Sequence, residues 1–333
     1  MKELFRNRLG RVVSPGVTDF IERPVMAPAD DEVVVKIAAS AICGSDLHIF
    51  SGRHPSVPLP VTIGHEFSGR VVALGKDVAR VRAGDRITVE PCIVRGQCDA
   101  CLHGDYGYCE RISFTYRNGD GAMADYITVK EAHAHLLPPR LSDAAGALIE
   151  PLSVATHAVR RAGVGLGEKV LVIGAGAIGI LVAALCRLSG AAEVAVCDHS
   201  ASRLRVAKEF GASHAIDPRD GGGLEEAARE ISGGAGMDKT FECVGKEGTF
   251  IQAMTSLRRN GLATIVGIFE KPDITIDAMR FINHEIRVQG SQGYCWDFPI
   301  ALKMSERIDL EKLVTHVFPL EELQKALETC ASP

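Results

Sequence analysis

The hydrophobic pattern changes character near residue 150. Before it, short apolar runs stand between turn residues: Glu32-Val33-Val34-Val35-Lys36-Ile37, residues 67–74, and Arg86-Ile87-Thr88-Val89 directly after Gly84-Asp85. Short strands at close intervals predict an antiparallel sandwich or partly open barrel. After Pro151 the period lengthens. Residues 152–162 carry apolar side chains at helical spacing. Strands predicted at 169–173, 193–197, 239–243 and 262–266 then alternate with helices at 178–189 and 202–210. That alternation predicts a doubly wound parallel sheet, so the fold class is α/β with a β-rich second domain. Gly221-Gly222-Gly223 and Gly233-Gly234-Ala235-Gly236 read as surface loops.

The strand ending at Ile173 runs into Gly174-Ala175-Gly176-Ala177-Ile178-Gly179 and then a helix. Alone, GxGxxG arises by chance; after a strand and before a helix it has a mechanism. The first glycine makes the tight turn, the second lets backbone approach a pyrophosphate, and the third lets the helix pack on the strand. The helix N-terminus offers free N–H groups to the phosphates. Asp198 follows at the end of the next strand. A carboxylate there accepts hydrogen bonds from ribose hydroxyls and repels a 2′-phosphate, which favours NAD over NADP. Arg203 pulls the other way, since a nearby arginine can hold that phosphate. The plainer role for Asp198 is that of a helix N-cap.

The chain has 333 residues and a net charge of −5. Nothing in that balance attracts nucleic acid or an anionic membrane. No apolar run reaches the roughly 18 residues a membrane span needs. Met1 to Gly10 lacks the apolar core of a signal peptide, so a cytoplasmic protein is expected. In that setting, clustered cysteines read first as metal ligands.

Two metal constellations stand out. The first is dispersed: Cys43, His65-Glu66 and Glu150. A catalytic zinc takes about three protein ligands and keeps one position open. These residue types suit it, although a lone buried Cys, a core His or a capping Glu is each commoner than a ligand. The second is local: Cys98, Cys101 and Cys109 have zinc-lobe spacing. The fourth thiolate would fall at position 95, which is Arg95; Cys92 lies three residues further back. A displaced fourth ligand and a lobe without metal are both compatible with that spacing.

Together these segments resemble the zinc-containing medium-chain alcohol dehydrogenases, particularly their sorbitol (polyol) dehydrogenase branch. The resemblance runs through Cys43-Gly44-Ser45-Asp46, Gly64-His65-Glu66, Gly84-Asp85-Arg86, residues 146–153, the Gly174–Gly179 loop and Leu313-Val314-Thr315-His316. It implies a GroES-like catalytic domain (1–153 and 290–333) around a Rossmann domain (154–289). It further implies that Cys43, His65 and Glu66 ligate a catalytic zinc, with Glu150 ligating it or holding its water. Ser45 and His48 match the family's proton relay. Val266-Gly267-Ile268 and Gly290-Ser291-Gln292 match segments along the nicotinamide. The implied partner is a small alcohol or polyol, and the implied assembly a homo-oligomer, a dimer or tetramer.

The chain departs from the polyol branch in places. Ile49 replaces the aromatic residue after the relay histidine, and Gly293 the arginine before the late Tyr-Cys pair. Ile49, Phe114 and Trp296 are expected to form a partly apolar pocket wall. The family usually ends with a glycine-lysine turn and a last β-strand, whereas this sequence ends at Ala331-Ser332-Pro333. Two rival readings are a zinc-free enone or quinone reductase and a non-catalytic nucleotide-binding protein. The first would lack the Cys43, His65 and Glu66 set; the second could lose the ligands or the relay.

Overall fold

In the computed structural model of the protein, the described residues are 2–54, 56–118, 121–220, 222–271 and 273–331. Gly221, from one expected glycine loop, and Ser332-Pro333 at the chain end lie outside them. The chain forms two compact units, residues 1–150 with 298–333, and residues 151–297.

In the first unit, β1 (Glu3–Ser14) and β2 (Val17–Met26) make a long antiparallel ribbon that turns at Gly16, φ +76°. β3 (Glu32–Ala41) leads into α1 (Gly44–Phe50). There follow β4 (Val61–Thr62), β5 (Glu66–Leu74), β6 (Arg86–Val89), β7 (Cys92–Ile93), α2 (Asp99–Leu102) and β8 (Ser113–Phe114). β9 (Tyr126–Lys130), β10 (Ala134–Leu136) and α3 (Asp143–Ala147) complete the stretch. The main sheet is antiparallel, in the order β10-β6-β5-β3-β9. Period-2 patterning places Val33, Val35, Phe67, Val71, Ile87 and Val89 in one core. Register shifts along β3 and β5 bend this sheet.

α4 (Ile149–Ala162) carries the chain into the second unit. That unit contains β11 (Lys169–Ile173), α5 (Ala177–Leu188), β12 (Glu193–Cys197), α6 (Ala201–Glu209) and β13 (His214–Ile216). It continues with α7 (Gly223–Ser232), β14 (Met237–Glu242), α8 (Glu247–Thr255), β15 (Leu257–Ile265), α9 (Met279–His284) and β16 (Arg287–Gly290). The six strands are all parallel, in the order β13-β12-β11-β14-β15-β16. Helices cover both faces of such a sheet, so its central strands are apolar throughout, as at Val170–Ile173 and Val194–Cys197. The order reverses at β11, and the glycine loop leaves the carboxyl end of that strand, where sheets of this type bind ligands.

The sequence put the return to the first domain at residue 290; the chain stays in the second unit to Asp297. Asp297 is fully buried. It accepts hydrogen bonds from His157 Nδ1 (2.7 Å), the Arg160 guanidinium and the Cys295 N–H (2.9 Å). That charged clamp ties residues 295–297 to α4, which hydrophobic patterning could not indicate. Among the described residues, no helix is long and apolar enough to cross a membrane.

Candidate active site

Cys43 precedes α1, and its extended backbone (φ −82°, ψ 156°) sets the turn from β3 into that helix. His65 and Glu66 sit where β5 begins. Gly64, φ +96°, makes the turn before them; a Cβ there would meet the Met123 nitrogen at 2.9 Å. Three ligand atoms thereby converge: Cys43 Sγ, a His65 ring nitrogen and a Glu66 carboxylate oxygen all lie within 4.8 Å of one another. His65 and Glu66 are buried.

Asp46 organises this cluster, a role the sequence did not suggest. Fully buried on α1, its carboxylate accepts from the Cys43 N–H (2.9 Å) and the Gly64 N–H (3.2 Å). It therefore ties together the two segments that present the ligands. His65 Nδ1 lies 3.9 Å from Asp46 Oδ1 and has no hydrogen-bond partner among the described residues. Phe114 and Tyr116 pack near the imidazole, with ring centroids 6.1 and 5.2 Å away. Ile49, expected at the pocket wall, is instead core: it is buried with Val12, Phe50, Val61 and Ile63. The next residue along a helix turns about 100° away from its neighbour, which takes Ile49 off the face of His48.

The electrostatics of the cluster suit a cation. Burial pushes the Cys43 thiol up, and Glu66 adds to it. Burial and the neighbouring Glu150 push Glu66 up to about 8. Burial works against the His65 imidazolium, yet Cys43, Asp46 and Glu150 hold its pKa well above the usual value. Glu150, buried in the first turn of α4, is thus close enough to act on both, although it is not among the three converging residues. A buried, acid-rich set of S, N and O donors that resists ionising alone is the donor chemistry zinc takes up. Loading zinc at pH 7 is expected to release protons from the Cys43 thiol, the His65 imidazolium and the Glu66 carboxyl. Apparent affinity should therefore rise with pH and flatten for the Glu66 part above about 8. Titration in weak buffer with a pH indicator checks this; pH-independent affinity would contradict it.

Ser45 Oγ is buried and has no hydrogen-bond partner among the described residues, so an acceptor or donor from a bound molecule would complete it. His48 lies on the same helix, three residues on and half-buried.

The second unit gathers the expected dinucleotide residues on the carboxyl edge of its sheet. Gly174 has φ +100°. A Cβ on Gly179 would stand 1.8 Å from the Gly174 carbonyl oxygen, whereas one on Gly176 would meet nothing. Gly176 caps α5 without a side-chain hydrogen bond, and Gly176 and Ala177 are exposed, with Ile178 half-buried behind them. Asp198 is not the N-cap of α6; Ser200 is, accepting from the Arg203 N–H. Asp198 accepts from the Ala175 N–H (2.7 Å) and the Ser200 N–H (2.8 Å), bracing the glycine loop against the end of β12. Val266, Gly267 and exposed Ile268 leave β15. Ser291 leaves β16 with its hydroxyl buried and without a hydrogen-bond partner among the described residues, and Gln292 beside it is exposed.

Glu242 was missed. Fully buried at the end of β14, it accepts from the Val244 and Gly245 N–H groups (2.9 and 2.8 Å) and the Thr249 hydroxyl (2.7 Å). Val266 and Gly267 donate N–H to its backbone carbonyl at 2.8 and 3.0 Å. One residue therefore sets two loops of the cofactor edge. The signal was present: a charged residue closing an otherwise buried strand. Glu242→Leu is expected to strand those donors and cost about 3 kcal/mol of stability, measured by urea unfolding. A loss below about 0.5 kcal/mol would remove Glu242 from this role.

Comparison with known proteins now fits what these sites define. A family model of the alcohol dehydrogenase GroES-like domain matches residues 29–139, and one of the zinc-binding dehydrogenase domain matches residues 177–307. Human sorbitol dehydrogenase is 36% identical over 332 residues, covering 97% of this chain and 92% of that protein. A solved structure of 2R,3R-butanediol dehydrogenase from Bacillus subtilis superimposes with TM-score 0.88 at 31% identity, covering 97% of this chain and 96% of that one. A zinc-binding dehydrogenase structure from Sinorhizobium meliloti, bound to NADP, gives TM-score 0.91 at 30% identity with the same coverage. The chain belongs to the zinc-containing medium-chain alcohol dehydrogenase family, in its sorbitol dehydrogenase branch. It is an oxidoreductase of the alcohol dehydrogenase type, and the zinc-free reductase and non-catalytic readings fall away.

Proposed function

We propose that the protein transfers hydride between the secondary carbinol of a polyol or vicinal diol and NAD. The observation that carries the reading is the buried convergence of Cys43, His65 and Glu66. Those three residues hold the zinc, with Glu150 beside them as a further ligand or as the group that holds its water. Zinc, when bound, supplies Lewis acidity that lowers the pKa of an alcohol hydroxyl. Ser45 Oγ takes the alcohol proton and His48 passes it to solvent. Phe114 and Tyr116 beside His65 shield the site from water.

On the second unit, the uncapped N-terminus of α5 takes the pyrophosphate. Asp198 takes the ribose hydroxyls with the lone pairs that Ala175 and Ser200 leave free, and its charge disfavours a 2′-phosphate. Arg203 lies in the first turn of α6 and is exposed, so it offers no fixed counter-charge. Val266–Ile268, Ser291 and Gln292 line the nicotinamide half. Sorbitol and butanediol, the substrates in the names of the relatives above, share a secondary carbinol next to a second hydroxyl-bearing carbon. That shared group defines the substrate class. The protein works as a homo-oligomer in the cytoplasm.

The test is initial-rate kinetics with NAD and NADP over linear polyols, cyclitols, vicinal diols and simple secondary alcohols. The expected result is NAD preferred at least about tenfold in kcat/KM, with diols and polyols ahead of lone alcohols. NADP preference would overturn the role of Asp198. Equal rates on simple alcohols would overturn the substrate class.

A further inference from the structure

The lobe around α2 does not fit a metal held by four sulfurs. Cys98 Sγ lies 3.4 Å from Cys101 Sγ and 3.8 Å from Cys109 Sγ, and all three sulfurs are within 4.8 Å of one another. Two sulfurs each 2.3 Å from one zinc at the tetrahedral angle stand about 3.8 Å apart, so these three are spaced for a shared ion. Backbone N–H groups already point at them: Arg95 donates to Cys109 Sγ at 3.4 Å, Cys101 and Glu110 donate to Cys98, and Gly96 to Cys101. Such donors stabilise thiolate. Among the described residues, no fourth Cys, His, Asp or Glu joins the group. Cys92, expected as a displaced fourth ligand, is buried on β7 outside it. Position 95, the fourth corner by spacing, is an exposed arginine.

We propose that this lobe is a three-thiolate site that takes one thiophilic divalent cation and leaves a coordination position to an exchangeable solvent ligand. Three sulfurs around a divalent ion carry a net charge of −1. The Arg95 backbone N–H, donated to Cys109 Sγ, offsets part of that charge without occupying the ion. An open position admits a competing ligand without first breaking a metal–sulfur bond. The ion in this lobe therefore exchanges rather than serving as a permanent staple. Softer ions that accept three-coordination, such as cadmium, are held well.

The experiment uses the full chain carrying Cys43→Ala, which removes a ligand of the other cluster, titrated with cadmium and followed by the thiolate-to-metal charge-transfer absorption. One equivalent is expected to bind with the intensity of three sulfur bonds. Arg95→Cys in that background should raise the intensity by about one third and slow transfer of zinc to a chromogenic chelator at least about tenfold. Cys92→Ser should change neither. No absorption at the lobe, or four-sulfur intensity that Cys92→Ser lowers, would overturn the proposal. Because the readout is absorption and metal transfer, it is independent of NAD-linked turnover. Should Cys43→Ala not fold, wild-type protein against Arg95→Cys gives the same difference.

Discussion

Replacing Cys43 with serine is expected to lower kcat/KM for alcohol oxidation at least about 10³-fold, equivalent to roughly 4 kcal/mol of transition-state stabilisation. The sulfur is one of the three ligand atoms that converge in the buried cluster among the described residues. A serine hydroxyl does not ionise at neutral pH and is a poor zinc ligand, so the site would lose its thiolate and keep only imidazole and carboxylate donors. The fold should survive, because Cys43 is positioned by its backbone N–H to Asp46, and serine keeps that N–H. Metal analysis should fall by the equivalent bound at this site, while NADH binding in the second unit stays within about threefold of wild type. A variant that keeps both its metal and its turnover would show that the three residues do not hold a catalytic ion.

Gly179→Ala is expected to reduce NADH affinity at least about a hundredfold, or about 2.7 kcal/mol. Its Cβ would stand 1.8 Å from the Gly174 carbonyl oxygen and 2.9 Å from the carbonyl carbon. That neighbour is backbone in the turn itself, so it yields only if the loop opens or α5 withdraws from β11. Either movement also costs stability, about 1–3 kcal/mol by comparison with overpacked cores. Gly176→Ala makes the contrast. Its φ of −71° suits alanine, and a methyl there meets no atom of the described residues within 4 Å. Its stability should stay within about 0.5 kcal/mol while affinity still falls, because the methyl fills space reserved for the pyrophosphate. Fluorescence titration with NADH and thermal unfolding separate the two effects. Equal affinity in both variants and wild type would mean that the loop does not bind a dinucleotide.

The parallel sheet was readable because its strands are buried on both faces and its glycines sit where backbone crowds backbone. β1 and β2 escaped because much of their ribbon is solvated. Arg6 and Arg11 pair with Glu22 and Asp19 across it, and charged pairs of this kind erase the apolar alternation that marks a strand. The three converging ligands were nameable by resemblance, but spacing could not bring Cys43 beside His65; β3 and β5 pairing does that, with Ala41 opposite Glu66. Asp46 and Glu242 stayed hidden for a related reason. Each works through backbone N–H groups of segments distant or turned back in the chain, and such bonds leave no residue-type signature in the partner. Ile49 shows the opposite failure: an aromatic position in the family had suggested pocket, yet the helix turns this side chain into the core.

The most direct measurement is NADH formation from a vicinal diol by protein stripped with a chelator and then titrated with zinc. Stripping should abolish activity, and activity should return in proportion to zinc bound at the Cys43, His65 and Glu66 cluster, saturating at one equivalent there. Full turnover by zinc-free protein would contradict it.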